Sequence, residues 1–301
     1  MQTIQFSGTD LIVSRLCMGA VNFGSTLNQQ QVESHLNRFL ELGGNFVDTA
    51  HVYNDWIPSE KSRSEKMIGQ WLKNHCRKDV VLCTKGGHFD LTAPEISRVT
   101  PEQLVIDLNE SLECLHTNYI DIYMLHRDNP ELPVGEIMDC LDDFVRNGKV
   151  RYIACSNWTA RRTAEANAYA MSHGKMPFVV NQLMWSMAVH TPGLIPSDCV
   201  AMDEEMMALG KETKLNFMAY SALARGYFTR RFLGKTVSDD LRCIYANEEN
   251  ERLFRQLEKL ESAEAITHAS LRYFVQQPVS VVPIVTFSSI DQLEECARAF
   301  L

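Results

Sequence analysis

The sequence lacks both a long apolar segment and an excess of positive charge. No apolar run approaches the ~20 residues that a membrane-spanning helix needs, which argues against a transmembrane protein. Asp and Glu number 38 against 29 Lys and Arg, and this net charge of −9 argues against a nucleic-acid partner. The first residues lack the basic and apolar regions of a signal peptide. We therefore expect a soluble cytoplasmic protein that binds neither a membrane nor a nucleic acid.

Three common functional motifs are also absent. No Gly-x-Gly-x-x-Gly occurs, which excludes a Rossmann dinucleotide site. No His-Glu-x-x-His or comparable ligand spacing occurs, so we predict no metal site. The nine cysteines form no Cys-x-x-Cys pair, and several lie inside apolar runs, such as Cys83. We interpret them as reduced core thiols rather than as a disulfide scaffold.

The sequence does contain a regular alternation of short apolar runs and longer amphipathic segments. The runs are apolar through most of their length, as expected of parallel strands that are buried on both faces. Eight such units in 301 residues favour an α/β fold of the closed (β/α)8 TIM-barrel type over an open sheet. Predicted strands span residues 15–19, 45–48, 80–84, 120–125, 150–155, 179–182, 216–220 and 280–283. Predicted helices span residues 30–42, 65–75, 101–115, 134–147, 160–172, 203–212, 263–276 and 290–301.

The composition does not divide the chain. Because it has no linker rich in Pro, Gly or Ser and no low-complexity tract, we predict a single domain over residues 1–301. A turn between runs at 3–6 and 11–13 predicts an N-terminal β-hairpin. Long connections follow three predicted strands, where they would rise from the face of a barrel that carries active sites. These connections span residues 54–63, 184–200 and 224–250.

Polar residues stand where several predicted strands end. Asp48 ends the second strand, Lys85 follows the third and His126 follows the fourth. Because these ends meet at one mouth of a barrel, we expect them to converge with Tyr53 from the loop after Asp48. Alone, Asp48 and Lys85 could be a structural ion pair and His126 a core histidine. The convergence of all four favours a catalytic group.

Six motifs, in this order, resemble those of the aldo-keto reductase family, and the resemblance covers nearly the whole chain. The first signature of that family is similar to GNFVDTA at 44–50, followed by Tyr53, SE at 64–65 and IG at 68–69. Its lysine and histidine strands are similar to LCTK at 82–85 and YIDIYMLH at 119–126. Its fifth and sixth strands are similar to GKVRYI at 148–153, CSN at 155–157 and NQ at 181–182.

The resemblance implies a nicotinamide-dependent oxidoreductase in which Tyr53 gives a proton to a carbonyl oxygen. A tyrosine with a pKa near ~10 is a slow acid or base, so we expect the Lys85 cation to lower the pKa of Tyr53. Asp48 would hold Lys85 in place and charged. His126 would hydrogen-bond the substrate carbonyl and orient it.

The resemblance also assigns a cofactor, NADP(H) or NAD(H), to the mouth. Three residues, Ser156, Asn157 and Gln182, would hold the nicotinamide carboxamide, and Tyr220 would stack on the ring. The loop after the seventh strand would support the pyrophosphate through Ser221 and Leu223. The last strand and helix would hold the adenosine phosphate end, at Thr286, Ser288, Gln292 and Glu295.

Two departures from the family pattern bear on the cofactor and the substrate. The glycine and the basic residue that family members carry after the last strand are missing, and Cys296 stands where an asparagine is usual. We therefore expect discrimination between NADPH and NADH to be weak or to favour NADH. The connection 54–63 is longer than usual, and the chain stops with its last helix. The open mouth, the absent C-terminal loop and the polar strand ends suggest a small polar aldehyde or ketone, a class that includes sugars. We expect Trp56, His88 and Trp185 to lie near it.

Two other functions stay open at this point. A Schiff-base aldolase could use Lys85 on the same fold, because a fold does not fix a function. A redox-sensing accessory protein could bind the cofactor and turn over poorly. The sequence does not decide between a monomer and a homo-oligomer.

Overall fold

Eight parallel strands close into a barrel in the computed structural model, which describes residues 1–58 and 60–301. A short antiparallel hairpin, β1 (Thr3–Gln5) and β2 (Ile12–Ser14), precedes the barrel. The last strand pairs with the first of the barrel and closes the sheet. The barrel strands are β3 (Cys17–Gly19), β4 (Phe46–Asp48), β5 (Val81–Gly86), β6 (Ile120–Leu125), β7 (Val150–Ser156), β8 (Val180–Met184), β9 (Asn216–Tyr220) and β10 (Val281–Val285). The predicted (β/α)8 barrel with its N-terminal hairpin is confirmed.

Helices follow the strands and form the outer layer. They are α1 (Gln29–Glu41), α2 (Arg63–Leu72), α3 (Pro101–Cys114), α4 (Val134–Arg146), α5 (Ala160–Ser172), α6 (Glu204–Thr213), α7 (Tyr227–Phe232), α8 (Asp239–Tyr245), α9 (Glu248–Leu257), α10 (Ala263–Arg272) and α11 (Ile290–Arg298). In α3 the Thr100 side chain accepts a hydrogen bond from the backbone N–H of Gln103, and Pro101 occupies the first turn. None of the helices in residues 1–58 and 60–301 is long and apolar enough to cross a lipid bilayer.

The hairpin covers the N-terminal end of the barrel. Phe6, between its two strands, packs edge-to-face on Phe46 with ring centroids 5.7 Å apart. The backbone N–H of Ser7 donates to the Asn216 side chain at the start of β9, at 2.9 Å. Because apolar side chains fill this end together with the barrel interior, the opposite end, where the strands finish, remains available for a site.

The long stretch 224–250 is more ordered than its weak pattern predicted. It carries α7 and α8, and α9 begins within it; Tyr227 and Tyr245 pack with Leu257 in a small apolar cluster of their own. The predicted helix 263–276 is shorter than expected, because α10 ends at Arg272 and the chain continues as a 3-10 turn over Tyr273–Gln276.

Candidate active site

A cavity of about 850 Å³ opens at the C-terminal ends of the barrel strands. It runs from Tyr53 and His126 to the last helix, α11, and most of the residues predicted for the site line it. These are Asp48, Tyr53, His126, Ser156, Asn157, Gln182, Tyr220, Ser221, Leu223, Thr286, Gln292 and Glu295. The structure therefore brings side chains from six strand ends, two loops and the helix α11 into one cavity.

Lys85 lies beneath the cavity and connects three groups. Its fully buried Nζ donates to Asp48 Oδ2 at 2.7 Å, to the carbonyl of Thr49 at 2.8 Å and to Tyr53 Oη at 3.2 Å. Burial is the largest single influence and lowers the pKa of Lys85, but the charge and hydrogen bond of Asp48, together with Tyr53 and Cys83, raise it by more and hold the pKa above its usual value. The ammonium group is therefore charged at neutral pH and lies within hydrogen-bond distance of the tyrosine hydroxyl.

The pKa of Tyr53 moves in the direction opposite to the sequence-based expectation. Burial is the largest influence and raises the pKa of Tyr53, while the Lys85 cation lowers it and the Asp48 carboxylate raises it again. The Lys85 cation lowers the pKa of Tyr53 as expected, but burial is the larger influence, so the net shift is upward instead of the expected net lowering. The hydroxyl consequently stays protonated through neutral pH, which suits a proton donor.

His126 stands beside Tyr53 with the two ring centroids 5.9 Å apart, edge to face. Burial, then the nearby cations Lys85 and Arg127, hold the pKa of His126 well below its usual value, so the imidazole is neutral. Its Nδ1 is buried without a hydrogen-bond partner. A proton on Nε2 leaves only an unpaired acceptor at Nδ1, and Nε2–H can then donate into the cavity.

The residues predicted to hold the carboxamide form a connected set. Ser156 Oγ donates to the backbone carbonyl of Gln182 at 3.0 Å, and the Gln182 amide donates to Asp48 Oδ1 at 2.9 Å. Asn157 Oδ1 accepts from the Tyr220 hydroxyl at 2.8 Å and from the backbone N–H of Val200 at 3.1 Å. These bonds fix the Tyr220 ring against the cavity and place amide and hydroxyl groups next to it.

Besides Lys85, four predicted residues do not line the cavity. The backbone N–H of Ser288 donates to Gln292 Oε1 at 2.9 Å. Trp56 is 51% exposed. His88 contacts the site indirectly, through its ring packed 4.8 Å from that of His126. Trp185 lies in the core between barrel and outer helices, where it packs on Phe274. The structure thus offers no basis for Trp185 as a wall of the substrate site.

Several cavity residues were missed from the sequence. Arg127, directly after His126, donates to Asp198 at 2.9 Å and to the His126 carbonyl. Its position at the end of the same strand was the signal that could have found it. Cys199 and the three cations Arg225, Arg230 and Lys235 also line the cavity, from long connections that carry no such signal.

A sequence model of the aldo/keto reductase family matches residues 15–301. Because the match covers nearly the whole chain, this protein belongs to the aldo/keto reductase family. Membership makes it an oxidoreductase that reduces carbonyl groups with a nicotinamide cofactor.

Curated relatives extend over most of the chain at modest identity. Norsolorinic acid reductase B of Dothistroma septosporum is 28% identical over 94% of this chain and 73% of its own length. The aryl-alcohol dehydrogenase [NADP(+)] of Phanerodontia chrysosporium is 28% identical, with 95% and 78% covered. An uncharacterized oxidoreductase of Bacillus subtilis, YrpG, is 27% identical, with 99% and 91% covered.

The fold is similar to that of a solved enzyme. The thermostable aldo-keto reductase Tm1743, crystallised with the inhibitor epalrestat, superimposes with a TM-score of 0.74. The alignment covers 99% of this chain and 94% of the other at 21% sequence identity. At that identity the likeness supports the barrel fold alone.

Proposed function

We propose that this protein interconverts a small aldehyde or ketone and its alcohol with NADP(H) or NAD(H), and that Tyr53 is the proton donor. The observation that carries the proposal is the contact between the Tyr53 hydroxyl and the buried Lys85–Asp48 pair at the floor of the cavity. A cation in contact with a tyrosine hydroxyl has a clear chemical use, because it stabilises the phenolate that remains after proton transfer.

The residues of the cavity fit a nicotinamide dinucleotide. Asn157 and Gln182 offer amide groups beside the Tyr220 ring, a donor and acceptor set suited to a carboxamide on a flat ring. Farther along, Arg225 and Arg230 offer positive charge for phosphate groups. When bound, the nicotinamide supplies a hydride to the carbonyl carbon or accepts one from the alcohol.

The chain's own side chains would position the carbonyl and handle the proton. His126, neutral and with Nε2–H available to the cavity, would donate a hydrogen bond to the carbonyl oxygen. Tyr53 would transfer its hydroxyl proton to that oxygen as negative charge develops there. Lys85 would stabilise the resulting phenolate, and Asp48 would keep Lys85 oriented through the 2.7 Å bond.

Two substrate classes remain for test. The polar side chains of Arg127 and Cys199 in the cavity wall support small polar carbonyl compounds, sugars among them. Trp56, half exposed on the loop after Tyr53, and the names of the aryl-alcohol and norsolorinic acid relatives support aromatic ones. His88 would influence either class through its contact with His126.

The experiment is a panel of carbonyl compounds and alcohols read by the absorbance of the reduced nicotinamide, with both cofactors. Glyceraldehyde and short sugars represent the polar class, and benzaldehyde and methoxybenzaldehydes the aromatic class. Turnover of any member that requires the Tyr53 hydroxyl supports the proposal. Tight cofactor binding with slow turnover of every compound would favour the redox-sensing accessory protein instead.

The aldolase alternative loses support from the site. A Schiff-base lysine needs an accessible, deprotonated amine. Lys85 is instead fully buried, donates three hydrogen bonds and has a raised pKa. Adding substrate together with borohydride would trap such a lysine irreversibly. We expect no such adduct on Lys85.

We further propose that residues 1–301 form one domain. The backbone N–H of Gln2 donates to the carbonyl of Phe300 at 2.7 Å, so residues from both ends of this sequence meet on the barrel.

All nine cysteines lie among the described residues and none forms a disulfide, which is consistent with a reducing compartment such as the cytoplasm.

A further inference from the structure

The far end of the cavity is lined by cations from an unexpected part of the chain. Arg230 of α7 and Lys235, three residues beyond that helix, line the cavity together with Gln292 and Glu295 of α11. The sequence led us to look for ligands of the adenosine phosphate only in the last strand and helix. We call residues 225–235, which include both cations, the basic arm.

The charges of Arg230 and Lys235 are not used by the fold. The neighbouring Arg231 donates to both oxygens of Glu251, at 2.6 and 2.9 Å, and stacks on Phe254. Among residues 1–58 and 60–301, by contrast, neither Arg230 nor Lys235 forms an ion pair with a carboxylate. The Nε of Arg230 reaches only a backbone carbonyl of the basic arm, at 3.4 Å. Two positive charges on the cavity wall are thus available to a ligand.

Their place along the cavity points to the adenosine end of the cofactor. The basic arm follows Ser221 in the chain, and Ser221 directly follows Tyr220 at the end of β9. Its helix α7 packs on α10, and α10 packs on α11. Thr267 of α10 lines the same cavity. Arg230 and Lys235 therefore line the same cavity as residues of α10 and α11, where the adenosine phosphate end is expected.

We infer that Arg230 and Lys235 bind the 2′-phosphate of NADP(H) and give this protein a preference for NADP(H) over NAD(H). This inference depends on the proposed function. A 2′-phosphate carries close to two negative charges, and charge-assisted hydrogen bonds to Arg and Lys are the strong ones. The Glu295 carboxylate on the same wall repels a phosphate, so both cations are needed for net attraction. The last strand and helix alone led us to expect weak discrimination or a preference for NADH. The two cations reverse that expectation.

Equilibrium binding tests this assignment without relying on turnover. Dissociation constants for NADPH and NADH are measured by calorimetry for the wild type, Arg230→Gln, Lys235→Gln and the double variant. We expect each substitution to weaken NADPH binding by about tenfold and NADH binding by less than about threefold. Adenosine 2′,5′-bisphosphate and 5′-AMP, which differ only in the 2′-phosphate, should separate in the same way. Arg255→Gln removes an exposed cation of α9 that does not line the cavity, and should change neither constant.

Each other outcome has a distinct meaning. Equal losses for NADPH and NADH would assign the two cations to the pyrophosphate and overturn the inference. Unchanged constants in the double variant would overturn it as well. A wild-type protein that binds neither cofactor would instead overturn the proposed function. Because Arg230 and Lys235 are exposed, the preference for NADPH should also shrink as ionic strength rises; a preference independent of salt would contradict the inference.

Discussion

The Gln182 side chain donates a hydrogen bond to Asp48 Oδ1 at 2.9 Å, while Lys85 Nζ donates to Oδ2 at 2.7 Å. A residue proposed to hold the nicotinamide carboxamide therefore contacts the carboxylate that pairs with Lys85. Asp48 is almost fully buried, so its two oxygens depend on these donors rather than on water. A change at Gln182 can therefore affect Lys85 and Tyr53 through Asp48.

Replacing Gln182 should affect catalysis as well as binding. Gln182→Leu keeps much of the bulk but leaves Asp48 Oδ1 without its donor, at a cost of about 1–3 kcal/mol, so kcat should fall about tenfold or more. Steady-state kinetics with saturating cofactor measures this fall. Gln276→Leu, an exposed position outside the cavity, is the control. A kcat equal to that of the wild type would show that the contact has no bearing on the reaction.

The Lys85–Asp48 pair should also matter for stability. Lys85→Met leaves a buried carboxylate without its cation and should lower the free energy of unfolding by about 3–5 kcal/mol. Lys85→Met combined with Asp48→Asn removes the unpaired charge and should recover part of the loss. Guanidinium denaturation of the two single variants and the double variant measures both effects. A double variant less stable than Lys85→Met would argue against the charge explanation.

The direction of the Tyr53 pKa shift predicts the pH dependence. Because the pKa of Tyr53 is raised, the hydroxyl remains a proton donor up to and beyond the usual tyrosine value of about 10. The kcat/KM for carbonyl reduction should stay constant through neutral and mildly alkaline pH and fall only above that value. Alcohol oxidation, which needs a proton acceptor, should rise over the same range. A reductive profile that falls with an apparent pKa below about 9 would contradict this order.

Replacing Trp185 should lower the stability of the protein strongly, whereas replacing Trp56 should change it little. Trp185→Ala empties a core position beside Phe274 and should cost about 3–5 kcal/mol of unfolding free energy, with substrate KM nearly unchanged. Trp56→Ala removes a half-exposed side chain and should leave stability nearly unchanged. Denaturation curves and KM values for both variants are the measurements. A large KM change in Trp185→Ala at normal stability would place that ring at the substrate after all.

The barrel and most of the cavity residues could be predicted because they follow from local patterns. Buried parallel strands are apolar runs, and their ends share one mouth, so Asp48, His126 and Gln182 were placed by counting strands. The same rule failed for Trp185. It follows β8 directly, but its backbone N–H bonds to the Tyr220 carbonyl and its ring turns outward into the helix layer.

Other features depend on contacts that the sequence does not display. Arg230 and Arg231 are neighbours, and only the packing of α7 on α9 and α10 decides which of them meets Glu251 and which faces the cavity. The pKa of Tyr53 depends on a balance between burial and two opposite charges. Knowing that Lys85 is near gives the sign of one influence, but not which influence is larger.

The most direct test of the account compares carbonyl reduction by the wild type and by Tyr53→Phe with the same aldehyde and saturating cofactor. Removing the hydroxyl removes the proton donor and leaves the ring in place, so kcat should fall by about 10² to 10⁴. The dissociation constant for the reduced cofactor, measured on the same preparations, should stay within about twofold, because the Tyr53 hydroxyl bonds to Lys85 rather than to the cofactor-facing residues. A variant that keeps wild-type turnover would show that Tyr53 is not the acid, and the central claim would be wrong.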